Sequence, residues 1–395
     1  MPPTQPVPTG VGDVFQLFRD GRPRTKAELT RVTGLARSTI SSRVDALLAA
    51  GLLRPDGEAA SSGGRPPATI AFNPAARIVI AADLGASHGL VAVCDLAGTV
   101  LASVRADIAI AEGPETVLSW VVDAALDCLQ RSGRTLDEVV GTGIGVPGPV
   151  EHSTGKPAKP PIMPGWDAFD VPAFVTERLG GPVLVDNDVN VLALGERATV
   201  WPEIDDLVFL KVATGIGAGI ISGGRLQRGA QGTAGDIGHV QVPYSRDSPR
   251  DAGDERDLEA VAGGTALAAS LHTDADPVRT SADVVARLNA GDHLAVDLVR
   301  QAGREVGEVL ATTVNLLNPS VIVIGGSIGI AGEHLLAGVR EVVYRRSIPL
   351  ATQNLAIVQS RSGGLGGAIG AAHLVIEHAL APHGVDALVS VTAAD

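Results

Sequence analysis

Cysteine is nearly absent from this chain of 395 residues: Cys94 and Cys128 are the only two, and no Cys-x-x-Cys pair occurs. A disulfide framework is therefore excluded, and a reduced, cytoplasmic setting is the simplest expectation. Aromatic residues amount to 3%, too few for a groove lined by stacked rings. Lysine is scarce as well, four residues against 27 arginines, the usage of a GC-rich coding sequence. The opening MPPTQPVPTG has neither the basic nor the apolar region of a signal peptide. The apolar run from Ile78 to Val104 is interrupted by Asp83, His88, Asp95 and several glycines, so no membrane-spanning helix is expected.

Apolar residues are plentiful at 45%, with only 19% charged. That composition supplies a large core and excludes a disordered chain. At roughly 100–200 residues per domain, two or three domains are expected. The 48 glycines suit sheets whose tight turns approach phosphates or sugars. The net charge of −13 argues by itself against nucleic acid, but it is uneven. Residues 1–75 hold nine Arg/Lys and six Asp/Glu, a balance of +3, leaving −16 on the rest. A small basic head on an acidic body fits a DNA-binding module joined to a ligand-binding one.

In the head, Val14, Leu17 and Phe18 have the i, i+3, i+4 spacing of a short amphipathic helix, broken by Gly21-Arg22-Pro23-Arg24. Thr25 and Glu28 form a capping-box pair. The helix that follows, over 26–33, is expected to bury Ala27, Leu29 and Val32. Gly34 supplies a turn, and a third helix opens at Ala36 or Ser38, with Ile40, Val44, Leu47 and Leu48 as its apolar stripe, ending at Gly51. This is helix-turn-helix spacing. The outward face carries Arg37, Ser38, Thr39, Ser41, Ser42 and Arg43, donors suited to base edges and phosphates. Leu52-Leu53 and 69–72 are expected strands around the polar loop RPDGEAASSGGRPP. That loop is a wing, with Arg65 placed to enter a minor groove. Any small three-helix domain shows part of this pattern; the turn glycine, wing and charge bias together favour DNA.

From residue 76 onward, strands are expected over 77–83, 90–94, 100–104, 139–146, 183–185, 207–212 and 321–324, and helices over 114–131 and from Asp188 to about Ala198. Alternation of this kind with glycine turns at strand ends indicates an α/β fold. Asp186-Asn187-Asp188 precedes a helix, where Asx residues serve as N-caps as readily as they meet a ligand. His239 alone reads equally as a structural histidine. Thr214–Gly219 reads as a glycine turn able to cradle phosphate through backbone N–H groups.

The segments ADLGASH, GIGVPGPV, VDNDVNVLALGE, TGIGAGIISGGRLQRGAQGTAGDIGHV, LEAVAGG and NPSVIVIGG occur in this order. Together they resemble the ROK family (repressors, open reading frames, kinases) over about residues 76–378. The head resembles the winged helix-turn-helix that the family's regulators have and its sugar kinases lack. The resemblance implies a winged head over 1–75, then a two-lobed actin-like ATPase body over 76–395, hinged near 186–200 and assembling as a dimer or tetramer. It implies sugar contacts at Asn187, Asp188, Asp236, His239 and Glu259, with Asp188 the general base if kinase activity exists. Asp236 stands where the family has Glu, one methylene shorter. It implies phosphate-loop positions at Gly85, Ser87, Thr214, Gly215 and Gly217. Kinases of the family have Asp-x-Gly-Gly-Thr in the first loop; here Ala86 brings a Cβ to that turn, which disfavours ATP and magnesium.

Family members follow the Gly-His with a cysteine cluster that holds zinc with the His. The stretch VPYSRDSPRDAGDERDLEAVAGG has no cysteine, so no metal or other cofactor is expected. Its Arg246, Asp247, Arg250, Asp251, Asp254, Glu255, Arg256 and Asp257 form exposed pairs worth roughly 0–1 kcal/mol each. They replace a metal staple poorly, and mobility or different order is expected near 243–257.

Two functions follow. The first is a sugar-responsive transcriptional regulator, a repressor binding double-stranded operator DNA as a homo-oligomer, its heads reoriented through the linker at Asn73-Pro74. The alternative is an ATP-dependent sugar kinase with an appended DNA-binding head. A third reading makes the body a dimerisation platform or a receptor for a non-sugar metabolite.

Overall fold

The computed structural model describes residues 10–58, 68–242 and 257–392. The head is built from α1 (Val11–Gln16), α2 (Lys26–Thr33) and α3 (Arg37–Ala49), followed by β1 (Leu53–Glu58) and β2 (Ala68–Phe72). The expected capping box is present: Thr25 N donates to Glu28 Oε2 at 2.7 Å, and Glu28 N donates to Thr25 Oγ1 at 3.2 Å. Gly34 closes α2 at φ 71°, its N–H on the Thr30 carbonyl, a left-handed C-cap that glycine adopts without Cβ strain. Ile40, Val44 and Leu47 are buried in α3.

Three expectations for the head are corrected. Leu29 is the buried residue of α2, whereas Ala27 is exposed and Val32 is 55% exposed. The eight-residue helix meets its neighbours along one narrow line, too narrow to cover positions to either side of Leu29. The first strand runs on through Arg54 to Glu58, with an irregularity between Pro55 and Gly57, so the loop is shorter than its polar composition suggested. Arg24, expected only to break the chain, pairs antiparallel with Ile70, giving the wing a third, single-residue edge. Arg65 lies outside the described residues.

The body contains two five-stranded sheets. The first comprises β3 (Ile78–Leu84), β4 (Gly89–Asp95), β5 (Val100–Ala106), β6 (Val139–Val146) and β9 (Val183–Asn187), in the order β5-β4-β3-β6-β9; a small hairpin of β7 (Val150–Glu151) and β8 (Lys156–Pro157) lies beside it. The second comprises β10 (Leu207–Val212), β11 (Ile216–Ser222), β12 (Arg225–Gln227), β13 (Val321–Gly325) and β14 (Ala356–Gln359), in the order β12-β11-β10-β13-β14. Both sheets follow one path. The first strand is central, two antiparallel strands extend to one side, and two parallel strands extend to the other. The body is thus a topological duplication, and the central strands β3 and β10 are buried along nearly their whole length.

The helices form layers. On the outer face of the first sheet lie α4 (Pro114–Ser132) and α5 (Val171–Leu179). Between the sheets lie α6 (Asp188–Val200) and α13 (Gly366–Ala379). The outer face of the second sheet is covered from α7 (Leu258–Ala262), α8 (Gly264–Leu271), α9 (Ser281–Asn289), α10 (His293–Leu317) and α11 (His334–Arg346), with the short α12 (Pro349–Thr352) leading into β14. A Cβ on Gly195 would overlap the Gly366 carbonyl, and one on Gly370 would overlap that of Val191. The two central helices can cross this closely only because both residues are glycine.

The last helix, α14 (Pro382–Thr392), returns to the head. Gly12 N donates to Asp386 Oδ1 at 2.8 Å, Gln16 Nε2 to the Leu380 carbonyl at 2.8 Å, and Arg19 pairs with Glu377 at 2.5 Å. Val14, Phe15 and Phe18 share one apolar cluster with Val79, Ala81, Val375, Leu380 and Val385. The segment at Asn73-Pro74, expected to be a linker that moves, is bonded on both sides. Asn73 Nδ2 donates to the Gly51 carbonyl at 2.9 Å, Leu96 N to the Pro74 carbonyl at 3.0 Å and Arg134 Nη2 to the Ala75 carbonyl at 2.9 Å.

Candidate functional site

In open α/β sheets, ligand sites form beyond the carboxyl ends of the strands. Here β3 ends at Asp83-Leu84, β9 at Asp186-Asn187 and β10 at Lys211-Val212, and their side chains meet between the lobes. Asp186, Asn187 and Asp188 each do something different. Asn187 is the N-cap of α6: its Oδ1 accepts from Val189 N at 2.9 Å, while Nδ2 donates to the Gly148 carbonyl at 2.9 Å. The capping role is therefore realised, and one amide proton remains beyond these bonds. Asp186 is 4% exposed and accepts from Asn187 N, from Asn190 Nδ2 at 2.7 Å and from Arg228 Nε at 2.6 Å. Asp188, 6% exposed, accepts from the Lys211 ammonium through Oδ2. Both cations come from the second lobe and both carboxylates from the first.

Lys211 stands opposite Gly217 on β11 and beside Gly325 on β13. Neither neighbour has a side chain, so the lysine stem has a free lane toward α6. Burial works against its charge, yet the Asp188 carboxylate, helped by Asp83, holds its pKa above the ordinary value. Asp83 faces the opposite balance. Burial, with the Asp188 charge adding to it, pushes its carboxyl up to about 6, although Lys211 and Arg105 pull the other way. Its carboxylate rests on the bare Cα of Gly367, in the first turn of α13.

The first glycine turn follows directly. Gly85 N donates to the His88 carbonyl at 2.9 Å, and the His88 imidazole lies over Gly85, where an added Cβ would run into the ring. Burial, then the nearby Lys211 and Arg105, lowers the His88 pKa. Ala86 and Ser87 are exposed at the tip.

The second glycine segment differs from the expected turn. Only 213–215 turn, closed by Ala213 N on the Gly215 carbonyl at 3.0 Å. Ile216–Ser222 is strand β11, so Gly217 and Gly219 are strand residues. Gly219 is needed because α6 passes against it: a Cβ there would crowd Ala193 and the Val189 carbonyl. Thr214 and Gly215 remain at the tip, but the Glu259 carboxylate sits against Gly215 and accepts from Ile216 N at 2.7 Å.

Asp236, His239 and Glu259 come together on the rim. Asp236 precedes a single 3-10 turn ending at His239, and Glu259 belongs to α7. His239 Nε2 lies 3.9 Å from Asp236 Oδ2, and its Nδ1 lies 3.2 Å from Asp257 Oδ2. The hydrogen bond with Asp257, then the Asp236 charge, raises the His239 pKa. Asp257 also pairs with Gln241 as an antiparallel bridge. It thus orients the His239 imidazole through Nδ1. Residues 243–256, where mobility or different order is expected, lie outside the described residues. Both cysteines are buried far away in the first lobe, where burial pushes the Cys94 thiol up to about 12 and that of Cys128 up to about 11. Among the described residues, no group of three or more His, Cys, Asp or Glu could hold a metal ion.

On the head, Arg37, Ser38 and Ser42 are exposed, and Thr39 and Arg43 are half-buried. Ser41 is committed internally, accepting from Lys26 Nζ at 2.9 Å and donating to Asp45 at 3.1 Å.

Sequence reasoning missed Asp83, His88, Lys211, Arg228 and Asp257 as site residues. A lysine inside the apolar LVFLKV strand was the available signal, because a charge in a buried strand needs a partner.

The family model for the ROK family matches residues 79–378. The chain belongs to the ROK family. The xylose repressor of Caldicellulosiruptor bescii is 27% identical over 363 residues, covering 88% of this chain and 90% of that protein. A solved ROK family transcriptional regulator, a homologue of the E. coli MLC protein, superposes with a TM-score of 0.77 at 26% identity and covers 97% of both chains. The ROK hexokinase of Thermus thermophilus superposes with a TM-score of 0.63 at 30% identity, over 76% of this chain and 99% of its own. No single helix among the described residues is long and apolar enough to cross a membrane.

Proposed function

We propose that this ROK protein is a sugar-responsive DNA-binding transcriptional regulator, a repressor whose operator affinity changes when a carbohydrate occupies the cleft. The observation that carries this reading is coverage. The similarity to a regulator runs over 97% of both chains, head included, whereas the whole hexokinase accounts for only 76% of this one. The division into a winged head over 1–75 and a two-lobed body over 76–395, with α6 at the hinge, follows from that reading. Arg37, Ser38, Thr39, Ser42 and Arg43 of α3 would contact DNA, with Arg65 of the wing. A dimer would present two such helices about 34 Å apart to a palindromic site.

Asn187, Asp188, Asp236, His239 and Glu259 would line the sugar site. Carboxylates, an amide and an imidazole suit vicinal hydroxyls, because each is stranded when a hydroxyl is missing. A xylose repressor among the relatives makes a pentose the first ligand to try. The body is read as non-catalytic. His88 covers Gly85, Ala86 carries a methyl group, and Lys211 occupies Asp188, so these residues do not fit a magnesium–nucleotide site. No zinc site is proposed either, since the stretch after His239 has no cysteine.

Sugar would act through the lobes, whose relative position is read by α13 and α14. The first turn of α13 rests against Asp83 of β3, its last turn pairs with Arg19, and α14 holds α1. The coupling is limited to the sugar's differential affinity for the two arrangements. The decisive experiment is a gel shift on the chain's own upstream DNA with and without D-xylose, D-glucose and N-acetyl-D-glucosamine. Specific binding that a sugar alters is expected, and loss of about 1–3 kcal/mol of discrimination in Arg37→Ala or Arg43→Ala if either reads a base. ATP turnover with a sugar, with no preference for upstream over scrambled DNA, would instead establish the kinase reading.

A further inference from the structure

The cleft contains an ion pair that its assignment as a sugar site leaves unexplained. Lys211 is the one lysine of β10, and the chain has only four. Its side chain is 23% exposed and that of Asp188 9%, so both charges are largely removed from water. Such a pair is kept only if its geometry and remaining hydrogen-bonding capacity are used. The Asp188 carboxylate uses Oδ2 on Lys211, and Oδ1 has no partner among the described residues. An ammonium has three protons, of which Asp188 takes one. A free carboxylate oxygen and free ammonium protons therefore lie side by side between the lobes. A hydroxyl, donor and acceptor at once, complements that pair.

We infer that Lys211 is a specificity-determining residue of the cleft: with Asp188 it forms a metal-free clamp for one hydroxyl of a neutral sugar, donating to the hydroxyl oxygen while Asp188 accepts its proton. The inference rests on the cleft being a sugar site, as proposed above. Neutrality follows from the charge count of the cluster. Asp83 and Asp188 outnumber Lys211, and the other nearby cations are turned elsewhere, Arg228 onto Asp186 and Arg105 onto the Gly364 carbonyl. A phosphorylated sugar would bring its dianion against an uncompensated carboxylate. The same clamp would keep Asp188 from serving as a general base. Its charge is already held by an ammonium, and the hydroxyl it touches is held in turn by the same ammonium. Because Lys211 belongs to the second lobe and Asp188 to the first, a sugar bridging them binds best when the lobes are closed.

The test uses the full chain and calorimetric titration of D-xylose, D-glucose, N-acetyl-D-glucosamine, their monodeoxy analogues, and glucose 6-phosphate. Wild type is expected to bind at least one neutral sugar and to bind glucose 6-phosphate no better than glucose. Lys211→Met should weaken the bound sugar about 10–100-fold, the loss of a charged hydrogen bond, with Lys211→Arg restoring most of it. One monodeoxy analogue should lose affinity on wild type and not on Lys211→Met, which a purely structural lysine would not produce. Independently of sugar, Lys211→Met and Asp188→Asn should each lower the melting temperature, and the double variant should fall short of their sum. A folded Lys211→Met that binds sugar as tightly as wild type overturns the clamp while leaving the sugar site intact. Tighter binding of the phosphate ester overturns the neutral class. If the melting temperatures couple but wild type binds none of these sugars, the proposed function fails and the clamp with it.

Discussion

Asp83 is held at the end of a central strand, against the first turn of α13 and facing a second carboxylate. A helix N-terminus favours a negative charge, but burial and the Asp188 charge outweigh it and carry the carboxyl up to about 6. In the unfolded chain an aspartate titrates near 3.9. The folded state therefore binds the proton more tightly, and stability falls as pH rises from about 4 to about 6, after which the penalty is constant. Its size is about 3 kcal/mol at most. Asp83→Asn should remove that slope and leave the variant more stable than wild type at pH 7, with the two converging near pH 4. Urea unfolding at the two pH values measures it, and a variant less stable than wild type at pH 7 would show that the charge is needed for folding. The residue scale is also where sequence reading was weakest. Asp83 is visible in the first glycine motif, but only the approach of Asp188 and Gly367 makes it unusual, and those lie about a hundred and nearly three hundred residues away in the chain.

Among the elements, the crossing of α6 and α13 sets the distance between the lobes. Gly195 and Gly370 each bring one helix onto a carbonyl of the other. Gly370→Ala cannot be absorbed by a rotamer change, because the obstacle is backbone. Overpacking of this kind costs typically 1–3 kcal/mol or more, so a melting temperature several degrees lower is expected, with altered sugar response because the lobe angle must open. Gly223→Ala is the contrasting control for the crossing: at φ 58° it has open space around the would-be Cβ, so its cost is backbone strain alone. An equal loss in both would remove the crossing as the cause. Seven strands of the body and the helices α4 and α6 were legible from alternation and apolar periodicity, the expected 139–146 and 207–212 strands matching β6 and β10, whereas the long helices α10, α11 and α13 were not read from the sequence. The glycine-rich 216–219 segment was misread as a turn, because glycines that admit a passing helix look in sequence like glycines that make a bend.

For the whole molecule, the first and last described helices are packed together. α1 opens the described head and α14 closes the body, and Asp386, Leu380 and Glu377 hold Gly12, Gln16 and Arg19. The head's apolar cluster continues into the first lobe. Asp386→Ala with Glu377→Gln should loosen this docking without unfolding either part. The expected result is faster proteolysis between head and body, with operator binding retained but no longer responsive to sugar. Retained responsiveness with proteolysis unchanged would mean that the bonded Asn73–Ala76 segment alone transmits the signal.

The sequence by itself determined what periodicity and short motifs encode: the helix-turn-helix with its Thr25–Glu28 cap, the α/β alternation, the acid-rich strand end at 186–188, and the lack of cysteines after His239. These are local, set by residues within a few positions of one another. The tertiary structure alone decided which charges face each other. Lys211 meeting Asp188, Arg228 meeting Asp186 and the last helix meeting the first depend on two separately encoded sheets closing over α6 and α13, and no local pattern specifies the distance at which they stop.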